Sequence, residues 1–191
     1  MRIGTAFALC AALAVTSCGE SLETKPLSPQ AQRALADVHV DPTAATATLN
    51  SYRASHGLGP VRLDPALAAM AQHQADAMAA GNQLSHDVAG SFASRFLASG
   101  LDAPRAAENI GGGYYSAEEA FKGWRDSPGH NANLLMPQAT RFGIAIAKDG
   151  RTRFRVFWAM EVAADADPRA SGSGAAGLAI SPSGAAPPAK P

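Results

Sequence analysis

The chain has 191 residues, which is enough for one ordinary domain with terminal extensions but leaves little room for a second domain. It carries 16 basic and 16 acidic residues, so its formal net charge is zero, and no run of basic residues stands out. A neutral chain without a basic patch lacks the electrostatic footprint that nucleic-acid binding requires. We therefore predict no nucleic-acid partner.

The N-terminus has the layout of a secretory signal peptide. One basic residue precedes an apolar stretch over residues 3–15, which is too short to span a membrane. The stretch runs into Val-Thr-Ser-Cys, which resembles a bacterial lipobox, in which the cysteine receives a lipid and becomes the first residue of the mature protein. We predict a signal peptide over residues 1–17 and a membrane anchor at Cys18. The alternative is cleavage near Ala12-Leu13-Ala14, which would leave Cys18 as a free thiol.

Both flanks of the central domain differ from it in composition. Residues 18–40 are polar, which predicts a linker, with a short helix over residues 29–36. Residues 164–191 are mostly Ala, Gly, Ser and Pro, which offer too little apolar surface to offset chain entropy, so we predict a disordered tail. The domain itself is predicted over residues 41–163. It contains no cysteine and must fold without a disulfide.

Four amphipathic helices are predicted within the domain from their capping signals and apolar periodicity. Asp41-Pro42 and Asp64-Pro65 each place an N-cap residue before a proline at the first helical position. Ser116-x-x-Glu119 has the pattern of a capping box. The predicted helices cover residues 42–55, 65–80 and 92–99, and a fourth begins at Ser116.

Two strands are predicted after the helices, because apolar side chains alternate along them. One face carries Phe142, Ile144 and Ile146 on the first strand and Phe154, Val156, Trp158, Met160 and Val162 on the second. Residues 148–151 are predicted to join the strands as a hairpin. The opposite face carries small and aromatic residues, so the sheet is expected to be covered on both sides by helices. The predicted fold is an α+β three-layer sandwich.

Four short segments are the most informative part of the sequence: Leu49–Arg53, Ser85-His86, Ala107–Ile110 and Ser127–Asn133. In this order and at these separations they resemble the CAP superfamily of cysteine-rich secretory, antigen 5 and pathogenesis-related proteins, in its disulfide-free bacterial SCP-domain branch. The resemblance implies the same α-β-α sandwich, with a small antiparallel sheet and a third strand over residues 108–113.

The resemblance also implies a central cavity lined by two histidines and two acidic residues, which holds a divalent metal in several members. His86, Glu108 and His130 match three of these positions. At the fourth position, this chain has Ser127, whereas family members with all four cavity residues have a glutamate there. We predict that these four residues line a ligand-binding cavity, with Asn109 satisfying buried backbone groups beside it.

Without the resemblance, His86, Glu108 and His130 do not define a metal site, because they are each 22 residues apart and no short ligand spacing links them. Neutral imidazoles and a carboxylate are competent zinc ligands, and a fourth position left to water would make the site open. The same trio could instead form a hydrogen-bonded polar cluster. The sequence leaves both interpretations open, with zinc as the candidate metal.

Ser127 and His130 carry one further expectation. If Ser127 caps a helix that begins at Pro128, His130 lies in the first turn, where the helix dipole disfavours positive charge. We therefore expect a neutral imidazole at His130, and Ser127 acting as a cap rather than as a nucleophile.

Three functions are compatible with these features. The favoured hypothesis is an exported, lipid-anchored protein of the bacterial envelope whose domain binds an extracellular lipid, glycan or cell-wall component. The alternative is a metal-dependent, peptidase-like hydrolase that uses the same cavity, with Glu108 as a metal ligand or as a base. A third is an envelope scaffold whose cavity is vestigial.

Overall fold

The computed structural model describes residues 26–166 and the backbone of residues 179–182. The predicted signal peptide, Cys18 and the other residues of the predicted tail lie outside this range. The helices are α1 (Pro29–Asp37), α2 (Pro42–Ala54), α3 (Pro65–Ala80), α4 (Phe92–Ala98), α5 (Ala117–Asp126) and α6 (Pro128–Leu134). The strands are β1 (Arg62–Leu63), β2 (Arg105–Gly112), β3 (Arg141–Lys148), β4 (Val156–Ala163) and β5 (Ala179–Pro182). None of the helices in the described part of the chain has the length and apolarity that crossing a bilayer requires.

The four predicted helices are confirmed, and the three with predicted caps begin at those caps. The Asp41 and Asp64 carboxylates each accept two backbone N–H bonds from the first turn of α2 and α3. Ser116 Oγ accepts the backbone N–H of Glu119 at 3.2 Å. In a capping box the Glu119 side chain would accept the backbone N–H of Ser116. Here Glu119 Oε2 accepts instead the N–H of the preceding residue, Tyr115, at 2.9 Å.

The five strands form one mixed sheet in the order β1-β3-β4-β2-β5. The centre, β3-β4-β2, is antiparallel as predicted, whereas β1 and β5 pair parallel at the two edges. β1 was not predicted, and β5 lies within residues 164–191, the segment predicted as a disordered tail. The composition of a segment indicates how much apolar side-chain surface it can bury. It does not show that the exposed edge of β2 has backbone donors and acceptors with which β5 can form hydrogen bonds.

Helices cover both faces of the sheet, which confirms the three-layer α+β sandwich. On one face, residues of α2, α5 and α6 form an apolar cluster with the sheet that includes Trp124 and Trp158, both fully buried. On the other face, α3 and α4 pack through two smaller clusters that include Met78 and Phe96. The small residues predicted on this second face, such as Ala145 and Ala159, let α3 approach the strands closely.

The connection between β3 and β4 is longer than predicted. It covers residues 149–155 instead of a turn within 148–151, and Phe154 lies outside β4. The Phe154 ring packs against Phe157 with ring centroids 5.7 Å apart, and therefore on the α3 face rather than beside Val156. Arg155 has a positive φ of 65°, which breaks the alternation on which the prediction rested.

Part of the segment predicted as a linker packs on the domain. α1 lies over the end of the sheet, and Leu35 and Val38 are buried in the same cluster as Trp158. Lys148 Nζ donates to the carbonyl oxygens of Ala36 and Val38 at 2.8 and 2.7 Å, which binds the end of α1 to β3. The helix predicted over residues 29–36 is therefore part of the packed domain rather than of a free linker.

Candidate functional site

His86 and Glu108 are in direct contact, as expected of two residues that line one site. His86 lies in the loop between α3 and α4, and its Nδ1 is 2.7 Å from Glu108 Oε1. The other oxygen of Glu108 accepts a hydrogen bond of 2.7 Å from Arg95 Nη2 on α4. The Glu108 side chain is 2% exposed and that of His86 is 22% exposed, so the pair reaches solvent through the imidazole.

A second buried glutamate lies beside this pair. Glu161 on β4 is the direct cross-strand partner of Glu108 on β2, so both side chains lie on the α3 and α4 face. The Glu161 side chain has no exposed surface, and its Oε1 is 3.7 Å from Arg95 Nη1. Arg95 is thus the shared cation of two carboxyl groups.

The pKa values of the two carboxyl groups are shifted in opposite directions. Burial raises the pKa of Glu108, but the His86 hydrogen bond, the neighbouring Glu161 carboxyl and the Arg95 charge outweigh it, and the net pKa is lowered. Burial, together with the negative charge of Glu108, raises the pKa of Glu161 well above its usual range. Of the two groups, Glu108 therefore ionises more readily than Glu161.

Arg95 and Glu161 were missed by the sequence analysis, although each left a signal. Glu161 interrupts the apolar alternation of β4, at a position that shares a face with Phe157 and Ala159. Arg95 falls on the buried stripe of α4 beside Phe92 and Phe96. Because an unpaired buried charge is costly, a basic residue and an acidic residue at buried positions, here Arg95 and Glu161, predict a buried ion pair.

His130 lies in the first turn of α6, as predicted, and the same helix places Leu134 in the apolar cluster with Trp158. His130 is fully buried, and within the described residues neither ring nitrogen has a hydrogen-bond partner. Its carbonyl oxygen accepts from Asn109 Nδ2 at 3.0 Å, and Asn109 Oδ1 accepts from Asn133 Nδ2 at 2.9 Å. Asn109 thus satisfies a buried backbone group, as predicted.

Ser127 precedes α6 as predicted, but its side chain makes no capping hydrogen bond. The turn is closed instead by the backbone, since the Asn131 N–H donates to the Ser127 carbonyl at 2.8 Å. Ser127 is therefore a cap by position only.

The predicted set of metal ligands is not assembled. Among the described residues, no three His, Cys, Asp or Glu side chains are grouped so that they could hold a metal ion. His86 and Glu108 are engaged with each other, and Arg95 occupies the second Glu108 oxygen. The residues present do not fit the divalent metal that the resemblance implied, and no chemistry is derived through one.

A cleft of about 600 Å³ lies beside the Arg95 network, between α3 and α4. Its wall is formed mostly by alanine side chains and Met70, with a few polar groups at the rim. The lining residues are Ala66, Ala69, Met70, His73, Ala89, Ser94, Arg95, Ala98 and Ser99. Arg95 therefore connects this apolar cleft to the buried carboxyl groups.

We expect His130 to make the domain less stable in mild acid. Burial and, to a smaller extent, the His86 charge lower the pKa of His130 from 6.5 to about 4. Between these values the unfolded chain binds a proton that the folded chain does not, so the free energy of unfolding falls as the pH falls. Between pH 7 and 5 the loss from this group is about 2 kcal/mol. Urea unfolding of wild type and His130→Gln at both pH values measures it.

The His130→Gln variant should lose about 2 kcal/mol less than wild type over this pH range. His73→Gln is the matched control, because His73 is exposed on α3, and it should behave as wild type does. Parallel pH profiles for wild type and His130→Gln would contradict the buried, neutral imidazole.

Comparison with known proteins gives a consistent match. The model of the CAP family, the cysteine-rich secretory protein family, matches residues 46–162. The Bacillus subtilis (strain 168) protein YkwD is 31% identical over 103 residues, which are 53% of this chain and 40% of YkwD. The chain therefore spans less than half the length of this relative.

Two solved structures share the fold. An extracellular protein containing an SCP domain from Bacillus anthracis str. Ames is 23% identical with a TM-score of 0.58, over 74% of this chain and 45% of that one. An outer surface protein from Borrelia burgdorferi is 14% identical with a TM-score of 0.56, over 64% of this chain and 91% of that one. At these identities the likeness establishes the arrangement of helices and strands and nothing further.

Proposed function

The chain belongs to the CAP family of cysteine-rich secretory proteins, and on that basis we propose that it is an exported envelope protein that binds an extracellular ligand. Export is supported by the signal-like N-terminus and by the fold shared with an extracellular and an outer surface protein. The proposed anchor is a lipid at Cys18. Membrane fractionation of cells that produce wild type or Cys18→Ser tests it, since release of the wild type with the soluble fraction would contradict anchoring.

The observation that carries the binding proposal is the cleft between α3 and α4. Its volume of about 600 Å³ falls in the range of small-molecule sites, which are mostly apolar with a few polar groups that orient the ligand. An alanine-lined wall with His73 and Ser94 near the rim suits the acyl chain of a lipid better than a glycan, which needs many hydrogen-bond partners. We propose a lipid as the ligand class.

The hydrolase hypothesis has no such support. A general base must be free to take a proton from water or from a nucleophile, but both Glu108 oxygens are already hydrogen-bonded, to His86 and to Arg95. His130 is fully buried, so its ring cannot contact a substrate from solvent. Glu108 is therefore not placed as a free general base.

Filling the cleft is expected to weaken lipid binding by at least about tenfold, or about 1.4 kcal/mol. Ala69→Phe places a ring in the cleft from an exposed position on α3, so it should leave the fold intact. The measurement is fluorescence titration of the purified full chain with fluorophore-labelled palmitate. Ala80→Phe is the matched control, because Ala80 is also exposed on α3 but does not line the cleft.

Equal binding by Ala69→Phe, Ala80→Phe and wild type would place the lipid outside the cleft. No binding by the wild type would reject a fatty acyl ligand and return the choice to glycans and cell-wall components.

A further inference from the structure

We infer that the Arg95 guanidinium is the resident cation of the site, and that it keeps divalent metal ions away from Glu108 and Glu161. Its Nη2 is 2.7 Å from Glu108 Oε2 and its Nη1 is 3.7 Å from Glu161 Oε1. One planar guanidinium therefore reaches two carboxyl groups on neighbouring strands. The inference does not depend on which ligand the domain binds.

Arg95 is held in this position by neutral acceptors as well. Its Nε donates to the Gly90 carbonyl and its Nη2 to the His86 carbonyl, each at 3.1 Å. The Arg95 side chain is 5% exposed, and these bonds hold its guanidinium beside the carboxyl groups. An ion approaching Glu108 would have to displace a cation that is held by two carbonyl oxygens as well as by the two carboxyl groups.

A cation already faces Glu108 without a metal ion. Glu108 faces the Arg95 guanidinium from α4, the His86 ring from the loop before α4, and the Glu161 carboxyl group from β4. A divalent ion on Glu108 would add two positive charges next to a buried guanidinium, where the low dielectric strengthens repulsion.

Removing the guanidinium would leave a set of groups that suits a metal. Glu108 and Glu161 would remain directly opposite each other on β2 and β4, with the His86 imidazole 2.7 Å from one Glu108 oxygen. Two carboxylates and an imidazole are zinc ligands. The chain thus contains a latent metal site that Arg95 keeps closed.

The test is calorimetric titration of the purified full chain with zinc chloride, supported by elemental analysis after dialysis. We expect Arg95→Met to gain a zinc site at least about tenfold tighter than any site in the wild type. Arg95→Lys, which keeps the cation, should resemble wild type, and so should Arg33→Met, a matched change at an exposed arginine on α1. Adding Glu161→Gln to Arg95→Met should abolish the gain.

Two results would overturn the inference. One is stoichiometric zinc in the wild type that is lost in His86→Ala, which would mean that Arg95 does not exclude the ion. The other is a folded Arg95→Met variant, checked by circular dichroism, with no gain in affinity. If Arg95→Met does not fold, Arg95→Gln replaces it, because glutamine retains a hydrogen-bond donor for the His86 and Gly90 carbonyls without the charge.

Discussion

Gly143→Ala is expected to destabilise the domain by about 3 kcal/mol or more, a large part of the roughly 5–15 kcal/mol by which ordinary domains are stable. A Cβ atom at position 143 would overlap the Leu67 carbonyl carbon and the Ala68 nitrogen. Both are backbone atoms at the start of α3, so no rotamer change can relieve the overlap. α3 would have to move off the sheet, which would disturb the apolar clusters it forms there.

Gly59→Ala is the matched control, because a Cβ at position 59 would meet no atom within 4 Å and the backbone there is not left-handed. Gly59→Ala should change the free energy of unfolding by less than about 1 kcal/mol. The change would be stabilising if alanine lowers the conformational entropy of the unfolded chain. Urea unfolding followed by circular dichroism gives both values. Equal stability of Gly143→Ala and wild type would show that α3 lies farther from β3 than the structure places it.

The helices and central strands could be predicted because their signals are local. Asp41 and Asp64 cap the helices that follow them, and alternation places Ile144 and Trp158 on one face and Ala159 on the other. β5 could not be predicted in this way. Its pairing depends on the open edge of β2, which is distant in the sequence, and the segment's own composition carries no sign of that edge.

The candidate site was predictable only in part, and for a similar reason. The resemblance identified His86 and Glu108, which are in contact, whereas Arg95 and Glu161 determine what the contact can do. Their roles depend on a helix and two strands meeting in the interior, which spacing does not reveal. His130 was predicted to join the site; its ring is fully buried on α6, and the charge of His86 contributes to lowering its pKa.

The segment Leu49–Arg53, which contributed to the family resemblance, has a structural role that the sequence did not reveal. Arg53 is fully buried on α2. Its guanidinium donates to four backbone carbonyls at 2.9 to 3.1 Å, one after α2 and three around the end of α6. The acceptors belong to Gly59, Leu134, Met136 and Ala139. In these two irregular turns, Arg53 therefore donates the hydrogen bonds that backbone N–H groups would donate in a helix or a sheet.

Arg53→Met is accordingly expected to destabilise the domain by about 3–5 kcal/mol, although methionine fills much of the same apolar space. The loss arises because buried carbonyls are left without donors. Arg53→Lys should recover only part of it, since an ammonium group cannot reach carbonyls on both turns in the way that a planar guanidinium does. Arg33→Met on the exposed face of α1 should change stability by less than about 0.5 kcal/mol. Urea unfolding compares the three variants, and an Arg53→Met protein as stable as Arg33→Met would mean that water or a rearranged turn satisfies these carbonyls equally well.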